Sequence, residues 1–534
     1  MSFEIKDKEL AGRIGKLKTK SGVVETPAFF PVINPFRQEK DLPLSKIKDI
    51  GFNQVITNAF IIKQHLGDEA LKIGIHKLLN YDGVIMTDSG AYQLLVYGFG
   101  KVKIDPRDIV LYQDRLGSDI AVIADIPTRD DAPYEEAKQS VEETLKRARM
   151  VIDIVEHSKT LWVLPIQGGI YTDLVARSAR EALKIRGYSM YAIGSPVMVL
   201  EKYEFWKIVD MVATAKTILP PDKPVHLFGG GHPLIIPFMV ALGIDSFDSA
   251  SYILYAREGR YMTEHGTYRV TDLDYFPCEC EVCSRYTPEE LMELSPRERI
   301  RLIAIHNLHV ISREIKRVKV AIREGRLWEL LEERARTHPA LREALNHIIK
   351  YIRWIEKLDP RVKGDVHGVF LYDSSSIFRP EILRHKIRLP KYVEKILPNV
   401  RHAILIPGSP IDKPLRYSLS VRELPNDVEE LIGRSDVLTL FYLPFFNLVP
   451  LDIDQTYPYS QFEAPIHVDQ DLMLSLRRSL VWILRELHKR GINIIIAYCN
   501  ELPWGNLNFI VKALRNSGLE VNNVKLVKVR CKGK

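Results

Sequence analysis

Cys278, Cys280 and Cys283 form a C-x-C-x-x-C cluster, and His306 follows on a stretch of helical periodicity. The chain has only five cysteines, and three of them fall within six positions. Three thiolates and one imidazole fill the four positions of a tetrahedral Zn2+ and leave none open for water. The set reads as a structural staple for one zinc ion per chain; the alternative is a chance group of free thiols on a loop. Chemistry has to be sought in other residues. Asp88, Asp125, Gln167 and Asp248 each end a short apolar run. Two carboxylates facing one substrate suit displacement at a sugar carbon: one attacks C1′ while the other moves the proton of the leaving group. A third carboxylate beside a carboxamide offers acceptors and donors to the N1, N2 and O6 edge of a purine, which would have to leave the base stack to reach them.

The elements that must position these residues repeat along the first half of the chain. Eight strands are expected: Pro27–Ile33, Gln54–Thr57, Val84–Thr87, Ile120–Asp125, Leu161–Gln167, Met190–Gly194, Val225–Phe228 and Ile244–Asp248. Amphipathic stretches such as Tyr134–Val155, Asp173–Ile185 and Lys202–Ile218 lie between them. Such alternation favours a parallel sheet, and eight units favour an α/β fold of the (β/α)8 TIM-barrel type. A doubly wound sheet is the alternative, but no G-x-G-x-x-G follows the first strand. In a barrel the site lies at the carboxyl ends of the strands. Asn58, Asp88, Asp125, Gln167, Gly194, the run Gly229-Gly230-Gly231-His232 and Asp248 all fall there. One such residue is readily an N-cap or a turn former. Four in register are not explained by capping and point to a pocket.

The 534 residues, 46% hydrophobic and 27% charged, suit an ordinary globular protein of more than one domain. The expected division is a barrel with its zinc site over 1–345, a helical linker over 346–365 and a smaller α/β domain over 366–534. In that last domain the strand pattern restarts at Val400–Pro407, Val437–Phe441 and Ile492–Tyr498. Cys499 and Cys531 are isolated, so no disulfide framework is implied and a reducing, cytoplasmic compartment is expected. The start lacks a secretory apolar region, and no apolar run reaches the ~20 residues that span a bilayer. The net charge of +7 permits a polyanionic partner. From Arg297 to Arg326 nine Lys/Arg stand against three Glu. Arg301, Arg313, Lys316, Arg317, Lys319 and Arg323 would form a solvated basic ridge on the helix that carries His306.

The segments TPAFFPVINP, ITNAFII, DSGAYQL, ADIPT, PIQGG, HLFGGGHP, FDSASY and CECEVC, with His306, resemble the tRNA-guanine transglycosylases, in particular their archaeal branch. The resemblance implies exchange of guanine 15 in the tRNA D-arm for 7-cyano-7-deazaguanine, a step towards archaeosine, with no redox cofactor or nucleotide energy source. It implies that Asp248 is the nucleophile and Asp88 the general acid/base, two roles that the sequence leaves interchangeable. Asp125 and Gln167 would read the purine edge, with Ser89 in the same substrate-binding set. Tyr92 would stack on the ring, and the Gly194-Ser195 backbone would face O6. Two places depart from the family pattern: Ser195-Pro196 follows Gly194, and Tyr92 stands where Phe is usual. Expected partners are tRNA, guanine and the incoming base, a second copy of the chain in a homodimer, and a separate PUA-type RNA-binding protein; a membrane is not among them. In the second half, IPGSPIDKPLRYSLS and NLVPLDIDQTYPYSQFEAP are similar to the carboxyl-terminal domain of archaeosine synthase. There Gly408 and Val421 stand near the places of a Cys and a His, which leaves a packing or RNA-docking role. The competing expectations are an archaeosine synthase-like lysine transfer and a non-catalytic tRNA-binding subunit. A catalytic zinc hydrolase is opposed by the complete Cys3His set.

Overall fold

The computed structural model describes residues 3–91, 105–363, 366 and 368–530. The chain divides into two compact units, Met1–Asp359 and Pro360–Lys534. The first begins with an antiparallel sheet that the sequence pattern did not announce: β1 (Phe3–Glu9), β2 (Gly12–Lys18) and β3 (Val23–Thr26). Eight parallel strands follow: β4 (Ala28–Pro31), β5 (Gln54–Asn58), β6 (Val84–Asp88), β7 (Ile120–Val122), β8 (Leu161–Ile166), β9 (Met190–Ile193), β10 (Val225–Leu227) and β11 (Ser246–Ser249). Their spatial order is β4-β11-β10-β9-β8-β7-β6-β5, and a short antiparallel pair, β12 (Arg260–Thr263) and β13 (Gly266–Arg269), follows them in the chain. A Val32–Ile56 bridge, with the Ile33 N–H donating to the Ile56 carbonyl at 2.8 Å, joins the two edges. The sheet is thereby closed into the expected barrel.

Period-two alternation sends Phe30, Ile56, Met86, Val122, Val163 and Ala192 into one interior cluster, which Leu17 and Val24 of the N-terminal sheet also join. The Ser21 N–H bonds Asp119, the residue just before β7 (3.1 Å). The three-stranded sheet thus stoppers the barrel where its strands begin. Arg13 and Asp245 form a buried ion pair at that end through two bonds of 2.7 and 2.8 Å. The opposite end is left for a site.

Two expected elements of the barrel have other bounds. Strand β7 stops at Val122, and Asp125 rides on the loop that follows. The Ile126 N–H there bonds the Thr144 hydroxyl (3.0 Å), and Pro127 has no N–H to give a ladder. The helix expected over Lys202–Ile218 begins at Phe205, because Tyr203 adopts φ 59°, a left-handed conformation that breaks it from Val197–Glu201. The basic ridge on helix Pro296–Arg323 is solvated, with Arg313, Lys316, Arg317 and Arg323 exposed, but most of its charges meet partners. Arg301 bonds the carbonyls of Lys40 and Asp41, Arg313 pairs with Glu264, Arg317 with Glu333, Lys319 with Glu25 and Arg323 with Asp7. These contacts fasten the helix to the rest of its own unit.

Residues 346–359, read above as linker, belong to helices Pro339–Lys350 and Ile352–Leu358 of the first unit. His347 and Tyr351 bond Asp210 (3.1 and 3.0 Å), and Asp359 accepts the Leu10 N–H (2.9 Å). The second unit is built on a five-stranded sheet. Its strands include β15 (His402–Pro407), β16 (Val437–Leu443), β17 (Asn447–Pro450), β19 (Asn493–Tyr498) and β20 (Lys525–Lys528), in the order β17-β16-β15-β19-β20. β17 alone runs antiparallel to its neighbour. A short pair, β14 (Val369–Phe370) and β18 (Phe462–Glu463), lies apart in that unit. Cys499, expected to be an isolated thiol, is disulfide-bonded; Cys531 lies outside the described residues. Among the described residues no helix is long and apolar enough to cross a membrane.

Candidate active site and metal centre

Each strand-end residue picked out by the sequence reaches the same rim, the carboxyl ends of the barrel strands. Asp88 closes β6 opposite Asn58 at the end of β5. The Gly90 N–H donates to its Oδ1 (2.7 Å) and the Asn58 amide to its Oδ2 (3.4 Å). Asn58 itself is fixed as the N-cap of helix Ala59–Leu66, its Oδ1 accepting the Ile61 N–H at 2.9 Å. Ser89 is fully buried, and its hydroxyl has no partner among the described residues. Tyr92 lies outside the described residues.

A second group surrounds Asp125. The Gln167 amide nitrogen donates to Asp125 Oδ2 at 2.6 Å. Its carbonyl oxygen accepts from the Ser195 hydroxyl (3.0 Å), which in turn accepts the Thr128 N–H (2.8 Å). Both ends of the carboxamide are therefore used, and its flip state is set by the network. Gly194 has a steric reason: a Cβ there would lie 2.3 Å from the Gln167 nitrogen. Ser195 adopts φ +66°, an uncommon conformation for a residue with a Cβ. The departure from the family pattern at this point supplies the hydroxyl that anchors Gln167. Burial, reinforced by the nearby charge of Asp88, pushes the Asp125 carboxyl up to about 7.

Asp248 sits in β11, 13% exposed at the side chain. Its Oδ1 accepts from the Gly229 N–H (2.8 Å) and from His226 Nε2 (3.0 Å). Its Oδ2 accepts nothing among the described residues. His226 is fully buried, and its other nitrogen meets the Ser246 hydroxyl at 2.9 Å. With Nε2–H donating to Asp248, Nδ1 is the acceptor for Ser246. Gly229 is at φ +64°, which turns its N–H towards the carboxylate, and a Cβ there would strike Val197 at 2.3 Å. Sequence reasoning missed His226, Ser246 and Thr128. The signal for His226 was its place: an imidazole in an inward position of an otherwise apolar strand, Val225–Leu227.

The four residues expected to hold a metal come together. The Cys278, Cys280, Cys283 and His306 ligand atoms all lie within 4.8 Å of one another. Cys280 and Cys283 sulfurs are 3.6 Å apart, and they stand 3.5 and 3.3 Å from His306 Nδ1. A tetrahedral ion with metal–sulfur bonds of about 2.3 Å requires sulfur–sulfur edges of about 3.8 Å. The donor set therefore fits a metal ion. His306 Nε2 meets the Met262 carbonyl at 2.8 Å, so this nitrogen carries the proton and Nδ1 keeps its lone pair for the ion. Tyr261 stacks on the imidazole at 3.6 Å between ring centres. The next residue, Asn307, bonds the Tyr252 and Arg260 carbonyls and the Met262 N–H. Tyr252 lies in helix Ser251–Arg257, directly after the strand that carries Asp248. The cluster thus fastens helix Pro296–Arg323 to the chain segment that follows Asp248, and its four ligand atoms would fill a tetrahedral ion.

In the second unit the two motifs singled out by the sequence meet each other. Arg416 bonds Asp454 through its guanidinium (2.9 and 2.6 Å) and its backbone N–H (2.7 Å), and the Gly408 carbonyl accepts from Trp504 Nε1 (3.0 Å). These are packing contacts. The side chain of Val421 lies outside the described residues.

A closed parallel barrel with three carboxylates and a carboxamide on its carboxyl-terminal rim, and a Cys3His cluster in the same unit, is the frame of a barrel enzyme. The model of the queuine tRNA-ribosyltransferase family matches residues 7–340. The chain is 46% identical over 518 residues to a tRNA-guanine(15) transglycosylase of Sulfolobus acidocaldarius, covering 96% of this chain and 99% of that one. It is 47% identical over 507 residues to the tRNA-guanine(15) transglycosylase of Aeropyrum pernix (94% and 95% covered). To that of Methanocaldococcus jannaschii it is 42% identical over 525 residues (96% and 76%). The chain belongs to the queuine tRNA-ribosyltransferase family. These alignments run through the second unit as well as the barrel.

Proposed function

We propose that this protein is a tRNA-guanine(15) transglycosylase that exchanges the base through a covalent aspartyl-ribose intermediate. The observation that carries the reading is the asymmetry of Asp248. One carboxylate oxygen is tied by two donors, and the other has no partner among the described residues, on the rim where barrels do their chemistry. In this mechanism Asp248 Oδ2 attacks C1′ of nucleotide 15 as the C1′–N9 bond breaks, and the bonding pair leaves with guanine. Asp88 gives the departing base a proton. The incoming base then loses its N9 proton to Asp88, its nitrogen attacks C1′, and the Asp248 ester bond breaks. Two displacements at one carbon keep the original configuration.

Ionised Asp125 would accept from N1–H and N2–H of the extruded guanine, with Gln167 fixed beside it by Ser195. Ser89, next to Asp88 and with no partner for its hydroxyl among the described residues, would add a further polar group to the site. Because Asp125 is pushed up to about 7, base binding should strengthen as the pH rises through neutrality. His226 acts as a positioning residue: it holds Asp248 Oδ1 so that Oδ2 faces the ribose.

The finer features of the reading are proposals of the same kind. The incoming base is 7-cyano-7-deazaguanine, as the resemblance to the archaeal branch implies. The ion held by Cys278, Cys280, Cys283 and His306 is Zn2+, which closed thiolate-rich tetrahedral sites favour. The protein works in the cytoplasm as a homodimer, with a separate PUA-type protein assisting tRNA binding. The decisive experiment measures incorporation of labelled guanine into tRNA beside a variant tRNA with adenine at position 15, and looks for a protein–tRNA adduct. Exchange confined to the guanine-15 tRNA supports the reading. Folded, metal-loaded protein that exchanges no guanine refutes it.

A further inference from the structure

The second unit has a surface that base exchange leaves without a task. Helix Gln470–Lys489 buries Leu476, Leu480 and Ile483 against the core. Its outer side lines an open groove of about 580 Å³, with Arg477, Arg478, Trp482, Arg485 and Lys489 along it and Asn516 at its far edge. Glu486 is the one carboxylate in the lining, and it is already taken by Lys489 (3.3 Å) and Arg490 (2.6 Å).

Arg477 and Arg485 are held in place without a carboxylate partner among the described residues. Arg477 lies over the Phe509 ring, 5.2 Å from its centre, and its Nε is buried with no partner among the described residues. Arg485 reaches the Asn516 carbonyl at 2.7 Å and so is pinned to the end of helix Leu507–Ser517. Arg478 is exposed and makes no ion pair or hydrogen bond among the described residues. Arg477 as a residue is only part-buried and lines the groove, so its guanidinium stands within reach of an anionic oxygen that arrives there. Half-buried Trp482 sits among these charges and offers a flat face for a ribose or an unpaired base. This is the reverse of helix Pro296–Arg323, where Arg301, Arg313, Arg317, Lys319 and Arg323 all find partners within their own unit.

We infer that this groove binds the sugar–phosphate backbone of the tRNA substrate. The inference rests on the tRNA reading given above, and it gives the second unit a role in holding the substrate and none in the chemistry. An RNA strand supplies both the spaced anionic oxygens that the arginines lack and the planar or sugar surface that suits Trp482.

The test uses the full-length protein and an unmodified tRNA transcript. Two quantities are read separately: tRNA affinity as a function of salt, and guanine exchange at saturating tRNA. Replacing Arg478 breaks no internal contact, so the Arg478→Gln and Arg478→Glu variants should melt with the parent protein. Arg478→Gln is expected to weaken tRNA affinity about fivefold and to lower the slope of log affinity against log salt by about 0.7–0.9, the value of one lost phosphate contact. Arg478→Glu should weaken it further, and Arg478→Lys should restore most of it because the point charge returns. The KM for tRNA rises in step while kcat is unchanged. Arg477→Gln provides the second variant and should behave like Arg478→Gln. Unaltered affinity and salt slope in both Arg478→Glu and Arg477→Gln would overturn the inference and leave the groove to an acidic protein surface. Failure of the exchange reading looks different: parent protein that binds tRNA yet exchanges no guanine, with affinity still lost in the variants.

Discussion

The barrel rim and the Cys3His cluster both gather polar side chains from distant parts of the sequence, but they treat the bonding capacity of those groups in opposite ways. In the cluster every donor atom points at one centre, and the remaining nitrogen of His306 is taken by the Met262 carbonyl. At the rim capacity is left over. Asp248 Oδ2 and the Ser89 hydroxyl have no partner among the described residues, and Asp125 keeps a carboxyl that titrates near neutrality. A closed set of valences stabilises structure, and an open set waits for a substrate. The two basic helices differ in a similar way: Arg313, Arg317 and Lys319 of one pair with carboxylates of their own unit, and Arg478 of the other has no partner among the described residues.

Perturbing both sites tests the comparison. The largest effect should follow Asp248→Ala: guanine exchange falls on the order of 10⁴-fold or more and no covalent tRNA adduct forms, while the melting temperature stays near that of the parent. Residual exchange within tenfold of the parent would assign the nucleophile elsewhere, with Asp88 the first alternative. Next comes Asp125→Asn, which replaces an acceptor by a donor at the purine edge. It should lower kcat/KM for guanine on the order of 10³-fold, since a site built to hydrogen-bond a base is left with unpaired groups. The cluster answers to a different readout. Stripping the metal with a chelator, or Cys280→Ala, should lower the melting temperature of the first unit on the order of 5 °C or more, with loss of activity following loss of structure. Activity lost at an unchanged melting temperature would turn the clamp into a reaction centre.

Smaller effects refine the rim. His226→Phe should lower kcat about 10- to 100-fold with little change in KM for tRNA, because misplacing Oδ2 harms the attack and spares binding. His226→Gln, which keeps an N–H donor, should recover much of that loss; equal damage in both would make His226 a packing residue only. The smallest expected change is in the pH dependence of stability. Asp125 has an ordinary value of 3.8 and is raised to about 7 in the fold, where Asp88 and Arg147 are the charged groups that act on it. The folded state therefore holds an extra proton between those limits. Its contribution to stability is fully present below about pH 4 and is lost as the pH rises to about 7. Asp125→Asn should flatten the melting temperature over this window, as a melting series from pH 4 to 8 would show.

Much of this was legible in the chain itself. The barrel follows from a repeat of apolar runs and amphipathic stretches, because strand and helix periodicities are local properties that survive without tertiary contacts. Asp88, Asp125, Gln167 and Asp248 stood out because strand ends in such a fold share one rim, and the three cysteines because their spacing is itself local. The N-terminal sheet was missed because β1–β3 offers weak alternation, with burial that arises only when Leu17 and Val24 meet the barrel interior. The pairing of the ridge's charges was not legible for a related reason: Glu25, Glu264 and Glu333, which hold Lys319, Arg313 and Arg317, are far from them along the sequence or on another element.

The sequence by itself determined which residue types are present, the order of the elements and which side chains end the strands. Only the tertiary structure decided how the hydrogen-bonding capacity of those side chains is shared out. That His226 and Gly229 hold one oxygen of Asp248, that Ser195 fixes Gln167 against Asp125, and that the Arg477 Nε is buried with no acceptor among the described residues are facts about which groups meet. Partners brought together by closure of a barrel or packing of a sheet leave no local pattern, because the bonds that join them span tens of residues and form only when the fold is complete.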